Sequence, residues 1–170
     1  APNAKVFISR VQKDLGLNIK VIDGEKEAYY GGVAALNLLH DDTFVTVDIG
    51  GGSTEFSFVK YGKIEKSISL NIGTVRIKEL YFNKEDIEGA RKVILDNLKK
   101  IFDLGIEIPS KVVGIGGSIR AVSKIIMEKN NYPLDILHGY TYNVKNENTL
   151  FNKIINARNN DDLKSVGVKK

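Results

Sequence analysis

The chain of 170 residues contains no cysteine. That absence excludes a disulfide scaffold, a zinc–thiolate centre and thiol catalysis. It fits a reducing compartment, and a cytoplasmic location is the expectation. Also missing is any apolar run of transmembrane length, and no stretch reads as a signal peptide. Charge of one sign is only slightly in excess, 25 basic against 21 acidic residues for a net +4. An imbalance that small describes a lysine-rich solvated surface better than a polyanion-binding one. Aromatic and basic residues are not interleaved as they are in single-stranded nucleic-acid binders. Nucleic acid and membrane are therefore not expected partners, and the basic stretch Lys164–Lys170 reads as a ragged end.

What is present is an ordinary globular composition, 42% hydrophobic and 27% charged, enough for one domain or a little more. Within it one octet stands out: Asp48-Ile49-Gly50-Gly51-Gly52-Ser53-Thr54-Glu55. Three adjacent glycines strip side chains from a bend, so backbone N–H groups can close on an anion. Ser53 and Thr54 add hydroxyl donors. Asp48 and Glu55 are hard oxygen ligands of the kind that hold Mg²⁺ against phosphate. Three glycines alone also make a plain hairpin turn, and Asp and Glu often flank turns. The surroundings argue for more than a turn. Val45, Val47 and Ile49 alternate before it; Phe56 and Phe58 share one strand face after it, with Glu55 and Ser57 on the other.

Hydrophobic spacing organises the rest. The first sixteen residues predict a loop and a short helix, and Asn18–Ile22 a strand. Asp23 is placed to cap a helix that runs from Glu25 to about Leu39. Three strands follow as a meander, Thr43–Asp48, Thr54–Lys60 and Lys63–Leu70, with a turn at Tyr61-Gly62. In the third, Ile64, Ile68 and Leu70 are expected to face one way. A short helix near Val75–Tyr81 and a long one over Lys84–Leu104 come next. A strand at Lys111–Ile115 then leads through Gly116-Gly117-Ser118 into a helix ending near Glu128. A further helix covers Glu147–Ala157. His40 and His138 have no metal-ligand spacing, and Tyr29, Tyr30, Tyr140 and Tyr142 read as packing or interface residues. The order from Thr43 is β-β-β-α-β-α, which predicts an α/β fold with a mixed sheet and helices on its faces. That is the ribonuclease-H-like arrangement of the actin-like ATPases.

Three pieces agree in order and spacing with a known family: Val21-Ile22-Asp23-Gly24-Glu25-Lys26-Glu27-Ala28, the octet Asp48–Glu55, and Gly114-Ile115-Gly116-Gly117-Ser118. Together they resemble the exopolyphosphatase / guanosine pentaphosphate phosphohydrolase family, over most of the chain. Asp23 departs from the pattern, which more often has Ser there. The family usually opens with a lobe bearing its own phosphate loop, and nothing like it precedes Ala1. The resemblance therefore implies that residues 1–40 are the remnant of a first lobe (helix, strand and connecting helix). Residues 41–170 would be the second ribonuclease-H-like lobe, incomplete at its C-terminus.

By the same resemblance Glu27 stands at the catalytic glutamate; on its own it reads as a solvated residue in a first helical turn. Glu55 is assigned to catalysis and, with Asp48, to Mg²⁺ or to positioning the attacking water. Gly50, Gly51, Gly52, Ser53 and Thr54 would cradle the terminal phosphoryl group. Gly116, Gly117 and Ser118 would hold a second phosphate, although tight strand–helix packing explains the glycines equally well. Arg120 or Arg76 could meet a distal phosphate. The implied activity is Mg²⁺-dependent release of terminal phosphate from inorganic polyphosphate or guanosine pentaphosphate. The implied partners are that substrate and the missing lobe; the surface that lobe would leave exposed predicts self-association, as a homodimer. Two alternatives stay open: an ATP-binding kinase or chaperone-like ATPase of the same fold, and an inert binding or assembly module.

Overall fold

The computed structural model describes residues 3–157 and 160–167. Its centre is a four-stranded sheet in the order β3-β2-β1-β4. Strands β1 (Phe44–Ile49), β2 (Thr54–Lys60) and β3 (Lys63–Leu70) form an antiparallel meander. Strand β4 (Val112–Ile115) lies parallel to β1. The expected β-β-β-α-β-α order and mixed sheet are both present. Between β2 and β3 the chain reverses in two residues, Tyr61 and Gly62, both at positive φ (50° and 72°), the geometry of a tight hairpin.

Each face of the sheet has its own cover. On one face Val45, Phe56, Phe58, Ile68 and Leu70 pack with Ile77 of α3 (Thr74–Leu80) and with Ala90 and Ile101 of α4 (Ile87–Phe102). On the other lies α2 (Gly24–Leu38), whose Ala35 meets Phe44, Val59 and the partly buried Ile64. A third cluster joins Ile125 and Ile126 of α5 (Gly116–Lys129) to Leu150 of α6 (Asn148–Ile155), with Tyr140, Tyr142 and Val166 against it. The two tyrosines lie 5.8 Å apart, so their packing role holds. A short helix α7 (Asn160–Ser165), unexpected from the sequence, occupies the start of the basic tail; residues 168–170 lie outside the described residues.

Three expectations need correction. Residues Asn18–Ile22 form no strand: none of the four strands lies beside them to take their hydrogen bonds, and all five are exposed. The long helix begins at Ile87, later than expected, because Glu85 sits at φ 59° and Asp86 caps the new start by accepting from Gly89 N at 2.8 Å. Ile64 does not share a face with Ile68 and Leu70. The pairing runs Val59↔Ile64 and then Phe58↔Lys66, leaving Glu65 unpaired in a bulge. One extra residue flips every later side chain to the other face. Ile64 therefore lies under α2, and Ile68 and Leu70 lie under α3 and α4.

No helix among the described residues is long and apolar enough to cross a membrane.

Candidate active site

The α2 face of the sheet changes character along its length. At one end it is apolar (Phe44, Val59, Ile64); at the other it carries Asp48, Glu55 and Ser69. Antiparallel pairing sets Asp48 directly opposite Glu55, and Glu55 opposite Ser69. Glu55 is buried, 5% exposed, and accepts a hydrogen bond on Oε1 from Ser69 Oγ at 2.7 Å. A buried carboxylate without a donor would be costly, so Ser69 is what lets it sit there.

Helix α2 brings the third carboxylate. Asp23 caps it as expected, Oδ1 accepting from Lys26 N at 2.8 Å. The helix rests unusually close to the sheet. A Cβ at Gly24 would stand 2.5 Å from Ser69 Cβ, so only glycine allows this approach. One turn on, the fully buried Ser57 Oγ lies 2.6 Å from the Ala28 carbonyl, to which it donates, and 2.7 Å from Ser67 Oγ. Between these two anchors, Glu27 is exposed in the first turn, at the positive end of the helix dipole. Its proton affinity is raised by desolvation first and then by the negative charges of Glu55 and Asp48. Asp48 is raised too, by desolvation and by Glu55. The three carboxylates thus act on one another, and none of them has a cationic partner among the described residues.

Beside them runs the glycine loop. Its carbonyls are turned toward the start of α3. Gly50 O accepts from Thr74 N (2.9 Å) and Thr74 Oγ1 (3.3 Å), Gly51 O from Arg76 N (3.0 Å), and Gly52 O from Arg76 Nε (2.8 Å). In a trans peptide the N–H points opposite to the C=O. The amides of Gly51, Gly52 and Ser53 therefore face away from α3. Gly51 and Gly52 are exposed, and the Ser53 hydroxyl has no partner among the described residues. Successive main-chain amides left without carbonyl partners are the kind of backbone group that can bind an anion. Thr54 plays a different part from the one expected. It is buried, and its hydroxyl donates to Ile72 O at 3.2 Å, so its side chain braces the loop.

The second glycine motif lies next door, because β1 and β4 are parallel and end together, Asp48 pairing with Ile115. Gly116 sits at φ 84°, and a Cβ there would fall 2.2 Å from Asp48 Oδ1. Glycine is required both by the backbone and by the approach of that carboxylate. Ser118 Oγ donates to Ile49 O at 3.1 Å, tying the motif to the end of β1. Its hydroxyl is thereby committed to the fold, whereas Gly117 is exposed with open space beyond its Cα. Arg120 is exposed on α5.

The structure brings Glu27, Asp48, Glu55, Gly50–Ser53 and Gly116–Gly117 to one end of the sheet. Sequence reasoning missed Ser69, Thr74 and the bracing role of Arg76. Only the strand register could have found Ser69, and the bulge at Glu65 hides that register. As a cation site the donors are all carboxylate oxygens under mutual repulsion, which a hard divalent ion would relieve. No group of three metal-ligating side chains forms a preformed cage among the described residues.

Known proteins resemble this chain in fold and in sequence. A crystal structure of an Aquifex aeolicus member of the Ppx/GppA protein family superposes with a TM-score of 0.74 at 31% identity, over 100% of this chain and 56% of that one. An exopolyphosphatase from Cytophaga hutchinsonii shares the fold, with a TM-score of 0.69 at 23% identity over 90% of this chain and 52% of that one. The bifunctional 3-dehydroquinate synthase/phosphatase of Fusobacterium nucleatum is 29% identical over 179 residues, which is 99% of this chain and 27% of that protein. The chain thus spans a little over half of those two solved structures and about a quarter of the curated relative. The model of the Ppx/GppA phosphatase family matches residues 1–170, and the chain belongs to that family.

Proposed function

We propose that this chain carries the hydrolytic half-site of a Mg²⁺-dependent phosphohydrolase acting on phosphoanhydrides, with inorganic polyphosphate or guanosine pentaphosphate as substrate. The observation that carries the reading is the meeting of Glu27, Asp48 and Glu55 at the amide face of the Gly50–Ser53 loop.

Each group has a part that follows from its surroundings. The loop amides and the Ser53 hydroxyl hold the terminal phosphoryl group. The exposed Gly117 amide, at the start of α5, is placed for a neighbouring phosphate. Asp48 and Glu55 would hold the cation together with phosphate oxygens. When bound, the cation neutralises charge on the phosphoryl oxygens and polarises phosphorus toward attack. Glu27 orients the attacking water and takes its proton. Its raised proton affinity, from desolvation and then from Glu55 and Asp48, suits a base better than an ordinary exposed carboxylate would be. Catalysis is then positioning and charge neutralisation, with no covalent intermediate.

The test is phosphate release from polyphosphate, guanosine pentaphosphate and ATP, by this chain and by a version extended to the length of its solved relatives. Glu27→Gln should lower the rate by about 10²–10⁴-fold, the usual worth of a general base. A rate within a few-fold of wild type would remove Glu27 from the mechanism.

A further inference from the structure

The loop that faces the phosphate is held open by donors on α3, and those donors are not equivalent. Gly50 O and Gly51 O take main-chain N–H groups, from Thr74 and Arg76, that no substitution removes. Gly52 O depends on a side chain, the Arg76 Nε–H at 2.8 Å. Because Gly52 C=O and Ser53 N–H belong to one trans peptide, fixing the carbonyl fixes the amide that points the other way. We infer that Arg76 is the positioning residue of the phosphate loop. It acts through its Nε–H on the Gly52 carbonyl, turning the Ser53 amide toward the bound phosphoryl group, and its charge does not act on the anion directly.

The inference rests on the proposed phosphate site and predicts something separate from it. In glutamine the side-chain nitrogen stands as many bonds from Cα as Nε does in arginine. Arg76→Gln therefore keeps a donor at the same place and discards the charge. Arg76→Met keeps the length and discards the donor. Arg76 is exposed and outside all three apolar clusters, so both variants should fold.

The experiment is a titration of the full chain with inorganic tripolyphosphate and Mg²⁺ at about 0.15 M salt, where bulk charge effects are largely screened. Affinity is read by calorimetry, and the Gly51, Gly52 and Ser53 amides by their ¹H–¹⁵N resonances. Arg76→Gln should bind within about threefold of wild type, and Arg76→Met about tenfold more weakly, as fits the loss of one hydrogen bond that orients the loop. In Arg76→Met the Ser53 amide should shift in the free protein as well. Equal losses in both variants would mean that the charge touches the anion, and would overturn the inference while leaving the phosphate site standing. So would wild-type affinity and an unmoved Ser53 amide in Arg76→Met. If none of the three amides responds in wild type, the phosphate site itself fails and this inference falls with it. Should Arg76→Met not fold, Arg76→Gln alone decides, by the same threefold limit and the position of its Ser53 resonance.

Discussion

At the scale of single residues, the site is a set of negative charges placed where each disfavours the next. Asp48 shows the consequence. Desolvation and the neighbouring Glu55 make its charged form costly in the folded state. The sign follows from linkage: a carboxylate whose folded pKa is raised adds stability below its unfolded value, 3.8, and that contribution is lost as pH rises through the folded value. In metal-free buffer, Asp48→Asn should therefore melt above wild type at pH 7, with the gap closing as pH falls below about 4. Thermal melts between these limits, with chelator present, would check it; a gap that stays constant with pH would show that repulsion at Asp48 is not the cause. On the proposed function, this is stability given up for activity, the usual direction at an active site.

At the scale of elements, a buried acid adds to the third apolar cluster in holding the C-terminal part to the rest. Glu147, 4% exposed, accepts from Lys129 Nζ at 2.6 Å and from Asn130 Nδ2 at 3.1 Å, holding the turn before α6 against the end of α5. The Lys129 bond, then Asn130, draws its pKa below the ordinary carboxylate range. Its contribution is present above the unfolded value and lost as pH falls through the folded one. Glu147→Ala should cost about 1–3 kcal/mol, which lowers the midpoint by several degrees in a chain of this size. Hydrogen exchange should locate the loosening in α6 and spare the sheet. Uniform loss of protection would show that the pin is not local.

The meander was legible at this scale because period-two alternation and a two-residue turn specify it. The octet of the candidate site was legible because its glycines, hydroxyls and carboxylates are contiguous in sequence. The bulge at Glu65 was not, since it leaves the hydrophobic pattern of β3 intact and changes only its phase. Ser69 was hidden for that reason. Arg76 was hidden for another: its partner is a main-chain carbonyl, which has no sequence signature. Residues 18–22 misled because alternation tests for a strand but not for a neighbour to pair with.

At the scale of the whole molecule, exposure is uneven. From α1 (Ala4–Leu15) to residue 22 the described residues include none that is buried, although the segment carries Val6, Phe7, Leu15, Leu17 and Val21, each more than half exposed. Several large apolar side chains left exposed on one short segment of a free chain favour association. Sedimentation should show a concentration-dependent shift toward dimers or larger species, reduced in Phe7→Lys. A monomer at all concentrations would remove self-association from the picture. The sheet and its two helical layers do not depend on this segment, so the half-site should persist in either state.

The unpaired Glu65 gives β3 a parity. Before it, odd and even positions have one meaning; after it they exchange. Because of that single step, one strand supplies an oily floor to the far end of α2, then crosses over and delivers serines to the candidate site and isoleucine and leucine to the opposite core. An unbroken alternation could satisfy only one of these neighbours. A homologue with one residue more or fewer between the hairpin turn and Ser69 would have to lose the hydroxyl beneath Glu55 or compensate elsewhere in the strand. The spacing from turn to serine thus carries as much of the site's specification as the glycines do.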